Sequence, residues 1–580
     1  MQSIVYSQTQ ATENDNNHSL VQPFLYIGVL VGIAFLIGLS FFARQVVGIE
    51  ISGKNYTPLV YNASSLSTQF PVKSDYNFKP DDILWDETRA YARYTQEILR
   101  GEYLGANSAS FNPYLTQGSL PENFWYRDRL GPIILALIAK GLGGGSVSNA
   151  FIASDFIFPF CIALTLLVLC RRFFGFTLAF SVMATASVMW LDWNNLLHLR
   201  DIFWGGIPDG ATLLRTPYPQ FSFLSFLLFV MALMNFHRQA SRAALVFLAT
   251  TLLVNFYMYF YVWTPVVVMA CLYAFINSHT QSATHLLNSK PKYKYFLWAT
   301  LSIAIAFSFP VWESLLISGG NVFKDSFLRV FGSFTHHPEW RQSLLVLPFL
   351  LLAAILKKSF WPTRWVWIIF FTSSLIVLNQ QVITGKINQP GHWTGGLIEP
   401  FTVLFLFDIA FHFLRRNQVL RKSMSAITIL LIFAILIQIY YVSYVGAKVA
   451  APYNRIDTQF SELIAFMNKP ERRAYGFLSN DPYLQTILPA YLIQKPLMPW
   501  YNDPLSNKTI ASIDTALSLQ FGKFIGILPY TGDHPSSLKF NENKVLLVLN
   551  RRLKTYSSLH QCQILFENND FIVSIKKCND

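Results

Sequence analysis

Apolar stretches of membrane-spanning length recur along almost the whole of this 580-residue chain. A helix needs about 20 mainly apolar residues to cross the hydrocarbon core of a bilayer. About eleven stretches approach that length, at roughly 24–42, 149–170, 176–196, 219–236, 243–261, 263–278, 295–312, 343–357, 364–383, 397–414 and 425–446. The sequence therefore predicts an α-helical polytopic membrane protein with about eleven transmembrane helices.

The composition excludes the common soluble classes. Only 13% of the residues are charged and 52% are hydrophobic, whereas a soluble domain carries roughly 25% charged residues. A soluble enzyme, a nucleic-acid binder and a disordered scaffold are therefore all excluded. The five cysteines are too few and too scattered for a disulfide scaffold or a CxxC metal site.

The net charge of +13 is concentrated in alternate loops between the predicted spans. Fourteen of the 45 Lys and Arg residues lie in five short loops that contain no acidic residue, and the other 31 nearly balance the 32 acidic residues. These fourteen are Arg171, Arg172, Arg238, Arg242, Lys290, Lys292, Lys294, Lys357, Lys358, Arg364, Arg415, Arg416, Arg421 and Lys422. Because basic loops stay in the cytoplasm, this asymmetry orients the chain, and no nucleic-acid partner is needed to explain the charge.

The flanks of the first span indicate the opposite orientation. Glu13 and Asp15 precede that span, and Arg44 and Lys54 follow it. We give more weight to the five later loops, and the tail lacks the basic start of a secretory signal. The expectation is a protein of the cell (plasma or inner) membrane whose N-terminus is cytoplasmic.

This topology divides the chain into three parts. We predict a cytoplasmic tail at 1–23, a transmembrane domain at 24–446 with a large first outer loop at 43–130, and an extracytoplasmic domain at 447–580. The last part alternates polar segments with short apolar runs, which is typical of a small α/β domain. Within it, Cys562 and Cys578 flank a predicted hairpin that turns at Asn568-Asn569, and they are either paired or two free thiols.

The first outer loop contains an acidic cluster followed by an amphipathic pattern. The segment from Asp81 to Glu87 includes the pair Asp86-Glu87 and opens a predicted helix that Gly101 ends. Tyr91, Tyr94, Ile98 and Leu99 form an apolar stripe that we expect to lie along the membrane face. The alternative interpretation of the acidic residues is helix capping and solvation alone.

A second short helix is predicted later in the same loop. Tyr126-Arg127-Asp128-Arg129-Leu130-Gly131-Pro132 leads into an apolar run that ends at Leu142 and is too short to span a bilayer. Two arginines at headgroup depth are suited to binding a lipid phosphate.

These residues resemble the first-loop signature of the GT-C glycosyltransferases. The resemblance rests on Asp86-Glu87-Thr88-Arg89, Tyr91, Glu97-Ile98-Leu99 and Gly101-Glu102-Tyr103, and covers about residues 80–145. It is greatest to the branch of the aminoarabinose transferases and protein O-mannosyltransferases. Tyr126, Arg129, Pro132 and Ile133 occupy the places of that branch's Tyr-x-x-Lys-Pro-Pro-Leu element, with Arg129 in place of Lys and Gly131 in place of the first Pro.

The resemblance implies an inverting transfer of a sugar from a polyprenyl-phosphate donor to an acceptor on the outer face of the membrane. It makes Asp86 the catalytic carboxylate, with Glu87 assisting it or sharing a divalent metal (Mg²⁺ or Mn²⁺) where one is used. Arg129 and then Arg127 are the first candidates to bind the donor phosphate, and Tyr91 and Tyr126 are placed to position substrate. The acceptor is a glycan, a lipid or a protein.

Other outer loops hold further candidates for the donor phosphate. Arg215 precedes a span, where it either snorkels to headgroups or binds the phosphate. Lys386 and His392 lie in a Gly- and Pro-shaped loop, whose alternative role is a structural turn. His336, His337 and Glu339 are expected to form a solvated loop rather than a metal site.

Two features inside or near the spans have more than one interpretation. Asp408 lies within a predicted span, where a carboxylate is functional by default or pairs with a neighbouring helix. Trp361, Trp365 and Trp367 are typical of an interfacial aromatic belt.

Three other classes of protein are alternatives to a glycosyltransferase. A transporter or flippase for lipid-linked sugars would place charges and broken helices at the bilayer midplane. A polysaccharide polymerase or ligase would share the substrate and the topology. A structural or assembly subunit would retain the motif without catalysis.

Overall fold

The computed structural model describes helices along much of the chain and a sheet near its C-terminal end. The described residues are 21–53, 56, 87–100, 130–142, 144–191, 213, 219–239, 241–258, 260–279, 301, 336–356, 361–384, 390–416, 418–450, 458–473, 475–479, 484, 488–496, 545–551 and 562–576.

The longer helices are numbered here in chain order. They are α1 (Val21–Ser52), α2 (Glu87–Arg100), α3 (Leu130–Gly141), α4 (Val147–Leu169), α5 (Leu178–Trp190), α6 (Gln220–Gln239), α7 (Arg242–Phe256), α8 (Phe260–His279), α9 (Trp340–Ile355), α10 (Arg364–Leu378), α11 (Glu399–Arg416), α12 (Gln418–Tyr440) and α13 (Thr458–Met467). Short π-helical segments at Cys170–Phe174, Thr394–Ile398 and Tyr441–Gly446 adjoin α4, α11 and α12.

Six helical segments among the described residues are long and apolar enough to cross a membrane. They are Tyr26–Ser52, Val147–Phe174, Gln220–Gln239, Arg364–Ile383, Gly391–Arg415 and Thr428–Val445, and each coincides with a predicted span. Four other predicted spans coincide with shorter apolar helices, at Leu178–Trp190, Arg242–Phe256, Tyr261–Ile276 and Trp340–Ile355. The predicted span 295–312 lies, apart from Leu301, outside the described residues. The multi-pass helical class is confirmed, and the number eleven stays a prediction.

Close contact between α1 and α4 depends on a small residue. A Cβ atom added to Gly38 would lie 3.1 Å from side-chain atoms of Phe156 and Phe160. Small residues let membrane helices approach closely, and dispersion contacts then replace contacts with lipid. The same interface buries Leu30 and Ala34 of α1 against Ala163 and Leu167 of α4.

One end of the bundle gathers arginines from two helices. At the end of α6, Arg238 donates hydrogen bonds from Nη1 to the carbonyl oxygen of Arg172 (2.6 Å) and from Nη2 to that of Phe173 (2.8 Å). The chain leaves this point through Gly175, whose φ of +71° is a left-handed conformation that favours glycine. We call this the arginine end. The opposite end, where α4 and α6 begin, we call the sheet end.

The predicted tryptophan belt is wrong for two of its three members. Trp361 and Trp367 are both 0% exposed. Each donates a hydrogen bond from Nε1 to Oδ2 of Asp408, at 2.6 and 2.7 Å, and Thr363 donates a third at 2.7 Å. The buried carboxylate draws these indoles inward because a buried acceptor without donors is costly. Of the two interpretations of Asp408, the structure therefore favours pairing with a neighbouring element.

A five-stranded sheet lies in the C-terminal part of the chain. Its strands are β1 (Gly476–Ser479), β2 (Lys495–Pro496), β3 (Val545–Asn550), β4 (Cys562–Glu567) and β5 (Phe571–Lys576), in the order β2-β1-β3-β5-β4. β1 pairs in parallel with β2 and β3, and β5 is antiparallel to both β3 and β4. The predicted small α/β domain is confirmed as to its mixed helix and sheet content.

The predicted hairpin is confirmed between β4 and β5. The backbone N–H of Asn568 donates to the carbonyl oxygen of Phe571 at 2.9 Å, and Oδ1 of Asn568 accepts from the N–H groups of Asp570 and Phe571. An Asn side chain that satisfies its own turn in this way favours a tight reversal. The side chains of Cys562 and Cys578 lie outside the described part, so their pairing stays a prediction.

The sheet and the sheet end of the bundle share one hydrophobic core. That core includes Tyr91 and Tyr94 of α2, which are only 7% and 3% exposed. The expectation that this stripe lies along the membrane face is therefore wrong. Other members come from α3, α4, α6, α13 and the strands: Leu135, Val147, Phe151, Phe158, Phe221, Phe460, Leu463, Phe477, Leu546, Val548, Phe571 and Val573.

Candidate functional site

The predicted acidic pair lies at the start of α2. The helix begins at Glu87, so Asp86 comes one residue before it, outside the described residues. The backbone N–H groups of a first helical turn have no partner within the helix, and the helix dipole there favours negative charge. Two acidic residues are therefore typical of a helix start.

Tertiary contacts fix α2 along its length. Near its start, Tyr91 (7% exposed) and Tyr94 (3% exposed) belong to a hydrophobic core that also includes Leu135 of α3 and Phe151 of α4. At the other end, Nη1 of Arg100 donates to the carbonyl oxygens of Leu492 (3.0 Å) and Pro489 (3.3 Å). Tyr91 thus anchors the helix in protein, and any role toward substrate stays a proposal.

The predicted second helix is present as α3. It begins at Leu130, one residue after Arg129, and its Gly131 and Pro132 are buried. Leu137, in contrast, is 62% exposed. A 12-residue helix is about 18 Å long, too short to cross a bilayer. The helix packs between α2 and α4 with one face uncovered.

His392 is the described member of the predicted phosphate-binding set. Its ring stacks on that of Tyr261 in α8, with centroids 4.7 Å apart and an interplanar angle of 19°. Next to it, Trp393 is 1% exposed and donates from Nε1 to Oγ1 of Thr264 at 3.1 Å. This part of the loop is therefore held against α8 rather than extended into solvent.

The loop with His392 approaches the segment that leads into α6. A Cβ atom added to Gly396 would lie 3.5 Å from Cβ of Pro219, which is four residues after Arg215. The described residues that follow these two predicted phosphate-binding loops are therefore in contact at the sheet end. The other predicted site residues lie outside the described part: Asp86, Tyr126, Arg127, Arg129, Arg215 and Lys386.

A partly buried ionic network at the sheet end was not predicted from the sequence. Oδ2 of Asp155 accepts hydrogen bonds from Nε (3.0 Å) and Nη2 (2.5 Å) of Arg44 and from Nε2 of Gln45. Oδ1 accepts from Nε2 of Gln220 at 3.3 Å. The sequence did contain a signal for it, since Asp155 is an acidic residue within the predicted span 149–170. The same criterion singled out Asp408.

Tyr56 extends this network beyond the end of α1. Its hydroxyl donates to Oε1 of Gln45 at 2.5 Å, and burial raises the pKa of this phenol above its usual value of 10.0. The nearby charge of Arg44 acts in the opposite direction, and that of Asp155 adds to the effect of burial. Tyr56 therefore remains a neutral donor at physiological pH.

The described residues offer no ready metal centre. Among them, no group of three or more His, Cys, Asp and Glu side chains is arranged to bind a metal ion. His336 and His337 are both exposed, in agreement with a solvated loop. The side chains of Asp86 and Glu87 are not among those described, so whether this pair shares a metal ion stays a prediction.

The fold and site define a multi-pass membrane protein with a small C-terminal sheet docked, through an acid-bearing helix, on one end of the bundle. No protein-family model and no curated protein matches the sequence. Among solved structures, the archaeal oligosaccharyltransferase AglB from Archaeoglobus fulgidus, in complex with an inhibitory peptide and a dolichol-phosphate, is similar with a TM-score of 0.42 and 11% identity. That similarity covers 92% of this chain and 70% of AglB.

ArnT from Cupriavidus metallidurans, in its apo state, is also similar, with a TM-score of 0.44 and 11% identity over 83% of this chain and 92% of ArnT. At this level of likeness, what the chain does has to be inferred from its own residues.

Proposed function

We propose that this chain is an inverting membrane glycosyltransferase of the GT-C type. It transfers a sugar from a polyprenyl-phosphate donor to a glycan, lipid or protein acceptor. The proposal rests on the first-loop resemblance of residues 80–145 and on the multi-pass helical fold.

One structural observation carries the proposal. α2 starts directly after Asp86, and the buried rings of Tyr91 and Tyr94 fix it against the sheet end of the bundle. A general base contributes only when its carboxylate is held within reach of the reacting proton. The anchoring of α2 within two turns of its first residue supports this role for Asp86.

The reaction is a single displacement at the anomeric carbon. Asp86 accepts the proton of the acceptor hydroxyl or amine as its oxygen or nitrogen bonds to that carbon. The bond from the carbon to the phosphate oxygen breaks, so polyprenyl phosphate leaves and the configuration inverts. A positioned carboxylate contributes about 10²- to 10⁴-fold as a general base, and Glu87 assists it.

Cations stabilise the departing phosphate. Arg129 and Arg127 are the first and second candidates, because both precede α3, which packs against α2. Arg215, Lys386 and His392 form a second group, and the contact between Gly396 and Pro219 supports their proximity. Charge that develops on the leaving oxygen is stabilised most by donors already in place.

We assign the sheet end to the outer face of the membrane. The fourteen basic residues of the acid-free loops, which include Arg172 and Arg238 of the arginine end, support a cytoplasmic position for that end by the positive-inside rule. In this orientation, α2, α3 and the 447–580 domain lie outside, where the last of these is positioned to select the acceptor. The donor is then used at the outer leaflet.

A flippase for lipid-linked sugars is the second candidate function. The observation that favours it is the presence of buried carboxylates, Asp155 and Asp408, inside candidate spans. Intramembrane acids often mark transport pathways. Both of these acids, however, accept hydrogen bonds from neighbouring side chains of the protein, which supports structural roles.

The test compares wild type with Asp86→Asn in lipid nanodiscs. Each protein receives a panel of radiolabelled polyprenyl-phosphate sugars and a membrane extract as the source of acceptor. Asp82→Asn, in the same acidic cluster, is the matched control. We expect transfer by wild type and Asp82→Asn and a loss of at least about 100-fold in Asp86→Asn.

Two outcomes contradict the proposal. Equal transfer by Asp86→Asn and wild type removes Asp86 as the base. Absence of transfer with every donor, combined with movement of labelled lipid across a vesicle bilayer, identifies the flippase instead.

A further inference from the structure

We propose that Asp155 is a positioning residue for the first outer loop, because it fixes the point at which the chain leaves α1. The proposal rests on the proposed function only in one respect: Asp155 affects sugar transfer only if the chain is a glycosyltransferase. Its structural consequence can be measured without any substrate.

The network around Asp155 joins three helices to the start of that loop. Arg44 and Gln45 belong to α1, Asp155 to α4, and Gln220 is the first residue of α6. All four lie at the sheet end, and Asp155 and Gln220 are at most 1% exposed. One carboxylate therefore connects three helices at the end where the proposed site lies.

The chain reverses immediately after this point. Gly53 has a φ of +57°, and the backbone N–H of Tyr56 donates to the carbonyl oxygen of Gly53 at 3.1 Å. The ring of Tyr56 then lies so close to Gly48 that a Cβ atom there would collide with it. Because the hydroxyl of Tyr56 reaches Gln45, the turn is connected through Gln45 to Asp155.

The same part of α4 supports α2. Phe151 and Phe158, one turn before and one turn after Asp155, and Phe221, which follows Gln220, belong to the hydrophobic core that contains Tyr91. The Asp155 network and the buried face of α2 therefore share one stretch of α4. Asp155 fixes both the exit from α1 and the surface on which the acid-bearing helix rests.

A positioning role fits these contacts better than a ligand site. Both oxygens of Asp155 already accept hydrogen bonds from the protein, and its negative charge is balanced by the positive charge of Arg44. A cluster without net charge does not attract a phosphate. Removing one member of a buried pair leaves the other charge uncompensated, whereas removing both avoids that cost.

Hydrogen–deuterium exchange in nanodiscs tests the proposal. Asp155→Asn is expected to raise the exchange rate of peptides that cover the end of α1 and Tyr56 by about tenfold or more. Peptides from α10, which packs against α8 and α9, are expected to match wild type. Asp408→Asn is the matched control, and its changes are expected around Trp361 and Trp367 instead.

A double variant provides the rescue. In Arg44→Gln/Asp155→Asn, both charges are absent, and exchange at the end of α1 is expected to return to within about threefold of wild type. Tyr56→Phe removes only the hydrogen bond to Gln45, and its increase is expected to be limited to the turn after α1. This milder variant keeps the test valid if Asp155→Asn does not fold.

Three results overturn the proposal. The first is unchanged exchange at the end of α1 in folded Asp155→Asn or, where that variant does not fold, unchanged exchange at the turn after α1 in Tyr56→Phe. The second is an equal rise along all helices, which indicates general loosening. The third is failure of the double variant to restore protection. None of them involves sugar transfer, so they leave the role of Asp86 untouched. Loss of transfer in Asp86→Asn likewise leaves the exchange result intact.

Discussion

Nη1 of Arg100 donates a hydrogen bond, at 3.0 Å, to the carbonyl oxygen of Leu492, which lies 392 residues further along the chain. This hydrogen bond joins the last residue of the helix that follows the acidic pair to the domain that contains the sheet. The C-terminal part is therefore not an independent appendage. It holds the end of α2 through Arg100, while α3 and α4 also pack against that helix.

Arg100→Ala is expected to loosen that connection. A hydrogen bond from a charged donor is worth about 1.5–3 kcal/mol when its partner is shielded from water, and Arg100 is partly shielded. We expect the thermal midpoint to fall and α2 to become more accessible to limited proteolysis, with Arg100→Lys less affected. Unchanged proteolysis between Glu87 and Arg100 in the alanine variant would contradict this role.

Replacement of Asp408 is expected to lower stability strongly. Asp408→Ala leaves two buried indole N–H groups and the Thr363 hydroxyl without their acceptor, and each buried unsatisfied group costs about 1–3 kcal/mol. Asp408→Asn retains one carbonyl acceptor and is expected to lose less. Thermal unfolding followed by tryptophan fluorescence distinguishes the two, and equal midpoints would show that these bonds contribute little.

The contact between α1 and α4 predicts a contrast between glycines of one helix. Gly38→Leu is expected to destabilise by about 1–3 kcal/mol through overpacking, because a Cβ atom at Gly38 already comes within 3.1 Å of Phe156. Gly32→Leu is the matched control, since a Cβ atom there meets nothing within 4 Å. Similar losses of thermal stability in both variants would exclude the packing explanation.

His392 is expected to affect donor binding more than chemistry. His392→Phe keeps an aromatic ring for the stack on Tyr261 but loses the nitrogens that a phosphate accepts from, so KM for the donor rises about tenfold or more. In the proposed function, kcat changes less. A KM within twofold of wild type, measured on variants with normal expression, would return His392 to a purely structural role.

Tyr56 predicts a pH dependence of stability above pH 10. Burial raises the pKa of this phenol in the folded protein, so the unfolded chain loses the proton first as pH rises. Stability is therefore complete below the unfolded pKa of about 10 and falls as pH rises toward the folded pKa. Stability curves measured above pH 10 are expected to fall less steeply in Tyr56→Phe, and parallel curves would count against this assignment.

The amino-acid sequence by itself determined much of the architecture. Apolar length alone located the spans, since a helix in lipid must satisfy its backbone internally over the thickness of the bilayer. Local signals determined where α2 ends, before Gly101, and where the hairpin turns, at Asn568. The first-loop pattern also predicts the acidic pair as the site, because that pattern lies within one short segment, and this stays a prediction.

The tertiary structure decided what each apolar or charged side chain faces. Tyr91 and Trp367 face protein rather than lipid, and a hydrophobic pattern is the same for either environment, so the sequence could not distinguish them. The pairing of Arg44 with Asp155 spans 111 positions. No local pattern encodes such a pair, because it exists only once packing places the ends of α1 and α4 side by side in a medium that penalises an unpaired charge.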